Sequence, residues 1–257
     1  MARQENLDIL AETADWVAVM KPAGLATIPG RAETDSVLER LGRQLGLPSS
    51  GTADPRVRVV HRLDKDTSGV LLFAKHVAAQ RHLSHQFQNN TIQKEYLALV
   101  RGRPDQEAGE VDAPLARHAA SKERMAIAKH GGRPARTAWR VEEVFRDVAL
   151  LRVFPKTGKT HQIRVHLQSI GLPLAVDPLY NAPRGGGPSP GILLSAFKRG
   201  YRPAGGEAER PLIERLTLHA EKLTFEDPVR GNVELVAPLP KDFRAALNML
   251  RKYGRRG

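Results

Sequence analysis

The chain has no cysteine, which excludes disulfides, thiolate metal sites and a cysteine nucleophile. It also lacks any apolar run near the roughly 20 residues that a membrane span needs. Its first residues, Met1-Ala2-Arg3-Gln4-Glu5-Asn6, carry no apolar secretory core, so the expectation is a cytoplasmic protein. Acidic residues are in deficit: 28 Asp plus Glu face 40 Lys plus Arg, a formal charge of +12. Arginine supplies 28 of those cations. A polyanion is the natural partner, and guanidinium groups, which fork onto phosphates and stack on bases, suit structured RNA. With 257 residues, 41% of them hydrophobic, the chain is long enough to bury a substantial core.

Repeats and heptads are absent. A first strand, Trp16-Val17-Ala18-Val19-Met20, runs into the turn Lys21-Pro22-Ala23-Gly24. Helices are expected over 35–47, capped by Asp35 or Ser36, over 76–89, led by His76 and Val77, and over about 160–170, closed by Gly171. Strands are expected around Val57–Val60 and Val70–Ala74 and over 94–100, 137–145, 148–154, 216–225 and 233–236. Residues 182–206, rich in Gly and Pro, predict a surface insertion. Strands in adjacent antiparallel runs with interspersed helices indicate an α+β fold, with a mixed, mostly antiparallel central sheet and flanking helices. The chain is expected to be one domain over 1–257, with no separate N-terminal RNA-binding module, and monomeric.

The chemistry concentrates in His61-Arg62-Leu63-Asp64-Lys65-Asp66-Thr67-Ser68-Gly69, a turn between two apolar strands. Arg62 and Lys65 flank Asp64 and are expected to keep it ionised, while Thr67, Ser68 and Gly69 supply hydrogen bonds and backbone freedom. Taken alone, an aspartate there is most often a solvated loop carboxylate. Asp66 is its rival, with the character of a turn-capping residue. On the strand after Lys94, Tyr96 and Ala98 share one face and Leu97 and Leu99 the other, so a small residue beside an aromatic leaves room for a flat guest. On the helix near 165, Ile163, Leu167 and Ile170 form a core stripe, with His161, Arg164 and Gln168 on another face.

His61-Arg62-Leu63-Asp64 with Thr67-Ser68-Gly69 resembles the signature of the RluA-type family of RNA pseudouridine synthases. Four further stretches resemble that family in the same order: Lys21-Pro22-Ala23-Gly24-Leu25, Lys94-Glu95-Tyr96-Leu97-Ala98, Thr157 through Leu167, and Leu218-His219-Ala220. The resemblance implies the pseudouridine synthase fold, with a catalytic cleft crossing the sheet, and isomerisation of uridine in rRNA or tRNA. It implies Asp64 as nucleophile, Tyr96 as the ring against the flipped uracil and candidate for the C5 proton, and Arg164 as the partner of the aspartate. Leu218 would line the base pocket and Arg62 would replace the extruded uridine. Asp227 stands where the family is expected to have histidine, at a turn.

From Arg117 to Arg140 the chain holds Arg117, Lys122, Arg124, Lys129, Arg133, Arg136 and Arg140, with Glu123 the sole acid. This resembles the family's RNA-gripping loop. Gly158-Lys159-Thr160 suggests a phosphate loop, but that motif needs glycine at 153, where the chain has Val153, so no nucleotide cofactor is expected. The histidine spacings match no metal motif and predict no metal. The alternative function is a non-catalytic RNA-binding or RNA-chaperone protein with an enzyme-derived fold.

Overall fold

The computed structural model describes residues 6–30, 33–181, 191–203 and 207–254. The chain divides into two compact units, 1–95 with 220–238 and 96–219 with 239–257. It passes from one to the other within strands β5 (Gln93–Arg101) and β11 (Leu218–Asp227).

The first unit contains β1 (Asp8–Glu12), β2 (Trp16–Lys21), α1 (Val37–Leu45), β3 (Arg58–Val59), β4 (Ser68–Ala74), α2 (Val77–Gln88), the larger part of β11, and β12 (Gly231–Val236). Its sheet runs β1-β2-β4-β11-β12, with β3 also on β4. β1 with β2, β2 with β4, β3 with β4 and β11 with β12 are all antiparallel. Every residue of β4 is buried, as its continuous apolar reading requires. The Ser36 hydroxyl accepts from Glu39 N and fixes the start of α1, and the His76 imidazole accepts from Ala79 N at the start of α2. The core gathers Trp16, Val70, Leu72, Leu83, Ile92, Leu223, Phe225 and Leu235. Asp227 is buried in this unit and accepts from the Trp16 indole at 2.7 Å and from Val229 N and Arg230 N. Burial pushes its pKa up, but the indole and the two amides outweigh that and hold the carboxyl below its ordinary value.

The second unit orders its sheet β11-β5-β10-β9-β6, from β10 (Val148–Pro155), β9 (Arg136–Val144) and β6 (Ala108–Asp112). β7 (Leu115–Arg117) and β8 (Met125–Ile127) form a separate hairpin. The alternation along β5 sorts two cores. Leu97 and Leu99 join Leu150, Phe243, Leu247 and Leu250, and Ala98 and Val100 join Leu151, Val153, Ile163, Leu167 and Leu218. Helix α4 (Lys241–Tyr253) therefore contributes to the first core and α3 (Gln162–Ser169) to the second.

Several expectations need correction. The strand around Val57–Val60 shrinks to Arg58–Val59, and β1 precedes the first strand expected. Helix α3 is buried over most of its circumference, and Ile170, expected in the core, is 40% exposed just past its end. Residues 182–190 and 204–206 of the expected surface insertion lie outside the described residues. Between them, however, Ile192, Leu194 and Phe197 are buried, so that part of the segment is anchored in the core.

Candidate active site

In the first unit, the turn after β3 is built on main-chain atoms. Lys21 ends β2 and is fully buried, and its ammonium donates to Pro22 O at 2.8 Å, Lys65 O at 2.6 Å and Thr67 O at 2.8 Å. Thr27 binds Leu63 reciprocally, donating its hydroxyl to the carbonyl at 2.9 Å and accepting the amide at 3.2 Å. Gly24 N donates to Lys65 O and Thr67 N to Asp64 O. The Lys21-Pro22-Ala23-Gly24 motif is thus the support under the turn. Asp64 is half-buried on this frame, between buried Leu63 and exposed Lys65, and Arg62 is exposed.

One expected electrostatic role moves. Lys65 was expected to keep Asp64 ionised, but its ammonium forms an ion pair with Glu33 at 2.7 Å, which raises the lysine pKa. Lys21→Met keeps the chain length but leaves those three carbonyls without this donor. The variant is expected to lose about 2–3 kcal/mol in urea unfolding.

His61 is part of the same support. Its Nε2 accepts from Leu72 N at 3.0 Å, and its ring stacks on Phe87 with centroids 4.4 Å apart. Burial, with the Lys94 charge adding to it, pushes its pKa down to about 3. In the second unit, His166 is fully buried on α3 between the Thr137 hydroxyl and Ala113 O, and burial lowers its pKa as well. The unfolded chain takes up a proton at each site near pH 6.5 that the folded chain refuses. Stability is therefore complete above that value and falls as the pH drops, by up to about 1.4 kcal/mol per pH unit for each group. Urea midpoints between pH 7 and about 5, above the carboxylate range, are expected to flatten in His61→Gln. An unchanged slope would refute a neutral His61.

Arg164, Tyr96 and Leu218 belong to the second unit. Tyr96 packs beside the cluster that holds Ala98, Leu218, Ile163 and Leu167. Arg164 is not on a solvated helix face. It is buried and forks onto Asp177, with Nε to Oδ2 and Nη2 to Oδ1 both at 2.8 Å. His161, expected on a helix face with Arg164, is instead the N-cap residue, at φ 55°.

The basic segment from Arg117 to Arg140 contains the β7–β8 hairpin, and the Gly131-Gly132 turn returns Arg133 to pair with Leu115. Arg117, Lys122, Lys129 and Arg133 are exposed, and Arg124 is half-buried. Arg136 is also exposed, but it pairs with Glu110 on β6 at 2.6 Å, an acid outside the segment that the local charge count omits. Among the described residues no group of three or more His, Cys, Asp or Glu side chains could hold a metal ion. No helix among them is long and apolar enough to cross a membrane.

The fold, an α+β arrangement with an aspartate presented by the turn into β4, is that of a pseudouridylate synthase domain. The human RNA pseudouridylate synthase domain containing 4 has a structure similar to this one, with a TM-score of 0.72 at 27% identity over 95% of this chain and 93% of that one. The profile of the family described as RNA pseudouridylate synthase matches residues 15–169, and the chain belongs to that family. Similar relatives include ribosomal large subunit pseudouridine synthase D of Nitrosomonas europaea, 41% identical over 95% of this chain, and of Haemophilus ducreyi, 37% identical over 95%. The chain spans 65% of the length of the first and 71% of the second.

Sequence reasoning missed Asp177 and Tyr180 altogether. Their signal, Asp177-Pro178-Leu179-Tyr180 after an apolar stretch, is a turn signal with no chemistry of its own.

Proposed function

We propose that the chain isomerises uridine to pseudouridine in structured RNA, with Asp64 as the nucleophile. The observation that carries this reading is the turn, in which a half-buried carboxylate sits on a frame tied by a buried ammonium, in a chain of this family. The reaction breaks the N1–C1′ bond, turns the uracil and forms the C5–C1′ bond. C5 loses its proton and N1 gains one, so no co-reactant is consumed and no nucleotide or metal cofactor is required. Asp64 attacks C6 of the base or C1′ of the ribose, and either covalent adduct divides one difficult step into easier ones. Tyr96 lies against the uracil and takes part in removing the C5 proton, Leu218 packs on the base, and Arg164 supplies the counter-charge. Arg62 fills the space that the extruded uridine leaves. Arg117, Lys122, Arg124, Lys129, Arg133 and Arg136 hold the phosphates, and the protein acts as a monomer.

The names of the relatives direct the proposal to large-subunit ribosomal RNA. Within it, a loop or bulge uridine is the cheaper target, because flipping a stacked base costs a few kcal/mol. Unmodified large-subunit RNA labelled with tritium at C5 of uridine is expected to release tritium stoichiometrically to discrete sites. Absence of release from both ribosomal and transfer RNA would overturn the proposal and favour a non-catalytic RNA-binding role.

Arg133→Ala tests the grip separately. Binding should weaken, and the slope of log affinity against log salt should fall by about 0.7–0.9 per lost phosphate contact, with kcat unchanged.

A further inference from the structure

Tyr180 is the point where the basic hairpin, helix α3 and the loop after it meet. Its hydroxyl accepts the Met125 amide at 2.7 Å and lies 3.2 Å from Met125 O and 2.9 Å from His161 Nδ1. The single hydroxyl proton is donated to one of those two acceptors, and burial raises the tyrosine pKa, which keeps that proton in place. The ring is buried with Leu115 of β7 and Val165 of α3, and Met125 and Ile127 of β8 pack against them. Two guanidinium groups lie over it, Arg164 at 4.9 Å from the centroid and Arg124 at 5.2 Å.

Asp177 completes the arrangement. The oxygen that takes Nη2 of Arg164 also accepts Leu179 N at 2.9 Å and Tyr180 N at 3.1 Å. One carboxylate therefore fixes both the plane of the Arg164 guanidinium and the main chain that delivers Tyr180. Gln168 of α3 adds a bond to Tyr180 O at 2.8 Å. Arg124 is held by the ring on one side, and its Nε is buried with no acceptor. Its charge is thus oriented by an aromatic face that does not neutralise it, which suits a phosphate contact.

We infer that Asp177 and Tyr180 are positioning residues that lock the RNA-gripping hairpin and Arg164 into one rigid assembly, so that engagement of RNA by the hairpin and the setting of Arg164 are mechanically coupled. This rests on the proposed reaction for its functional half, while the lock itself stands on geometry alone. The two residues divide the work. The tyrosine hydroxyl holds the hairpin edge through Met125, and the aspartate holds the guanidinium.

Tyr180→Phe keeps the ring and both cation contacts but removes the hydroxyl. It is expected to raise amide hydrogen exchange in residues 115–127 and to raise KM for RNA about 5- to 10-fold, the equivalent of roughly one lost hydrogen bond, with kcat little changed. Asp177→Asn keeps the shape and removes the charge of the fork. It is expected to lower kcat about 100-fold, the cost of a misplaced catalytic-site group, with a smaller change in KM. A merely structural role would lower the folded fraction and reduce both variants' activity without that split. Wild-type exchange in Tyr180→Phe, or parallel losses of kcat in the two variants that track their folded fractions, would overturn the inference. If the wild-type chain releases no tritium at all, the proposed reaction fails. The exchange experiment then still decides the lock, by exchange in 115–127 that rises in Tyr180→Phe or stays at the wild-type level.

Discussion

Asp64→Asn is expected to reduce tritium release from C5-labelled RNA by at least about a thousandfold, because the amide matches the carboxylate in shape and has no nucleophilic oxygen. RNA binding is expected to persist within about twofold, since the phosphate contacts reside in other residues. Folding is also expected to persist. The turn around Asp64 is held by the Lys21 ammonium on the carbonyls of Pro22, Lys65 and Thr67 and by Thr27 on Leu63, all main-chain acceptors and donors that the substitution leaves in place. The urea midpoint should therefore correspond to a change of no more than about 1 kcal/mol. Asp66→Asn is the matched control, two positions along the same turn, and is expected to retain near wild-type turnover. Turnover by Asp64→Asn within tenfold of wild type would remove the nucleophile from the mechanism. A reversed pattern, with Asp66→Asn dead and Asp64→Asn active, would move it by two residues.

What the sequence disclosed follows the range of the interactions concerned. Helix α1 was legible because its signal is local, an apolar face next to a capping side chain, and Ser36 does cap it; α2 was expected from His76 onward, and the structure adds that His76 is its cap. The alternation along β5 was legible for the same reason, and it places Tyr96 with Ala98 on the face of Leu218. Helix α4 carries an equally local pattern in Phe243, Ala246, Leu247 and Leu250, yet it lies beyond the last element expected from the sequence. Strands β7 and β8, three residues each, are too short to show a period.

The site was less legible than the elements, because its electrostatics run between residues distant in sequence. Lys65 adjoins Asp64 in the chain but pairs with Glu33, 32 residues earlier. Arg136 pairs with Glu110, and Arg164 with Asp177 across the end of its own helix. Adjacency of charges in a turn says little about their direction, since neighbouring side chains diverge there. The burial of Arg164 had a sequence signal only in hindsight: α3 contains Gln162, Arg164 and His166 beside Ile163, Val165 and Leu167, and a helix buried on nearly all sides has no single apolar stripe.

Gly69→Ala is expected to be the most damaging small substitution in the first unit, with a loss of about 3 kcal/mol or more in urea unfolding. Two causes act together. Gly69 has φ +129°, a backbone conformation that residues with a β-carbon rarely adopt. An added β-carbon would also stand 2.6 Å from both the carbonyl carbon and the amide nitrogen of Ala220, and closer still to its carbonyl oxygen. These are main-chain atoms of β11, which β4 neighbours in the sheet, so no side chain can rotate away and one strand must move. The displaced position is also where Gly69 pairs with Lys21, whose ammonium holds the Asp64 turn. Loss of the contact should therefore reach the turn as well as the sheet, and the folded fraction that survives should turn over more slowly than wild type. Gly158→Ala is the control: no atom stands within 4 Å of its added β-carbon and its φ is not in the left-handed region. It is expected to stay within about 1 kcal/mol of wild type. A Gly69→Ala protein as stable as the Gly158→Ala control would mean that β4 and β11 approach each other less closely than the structure has them. The rigid frame under Asp64 would then need another origin.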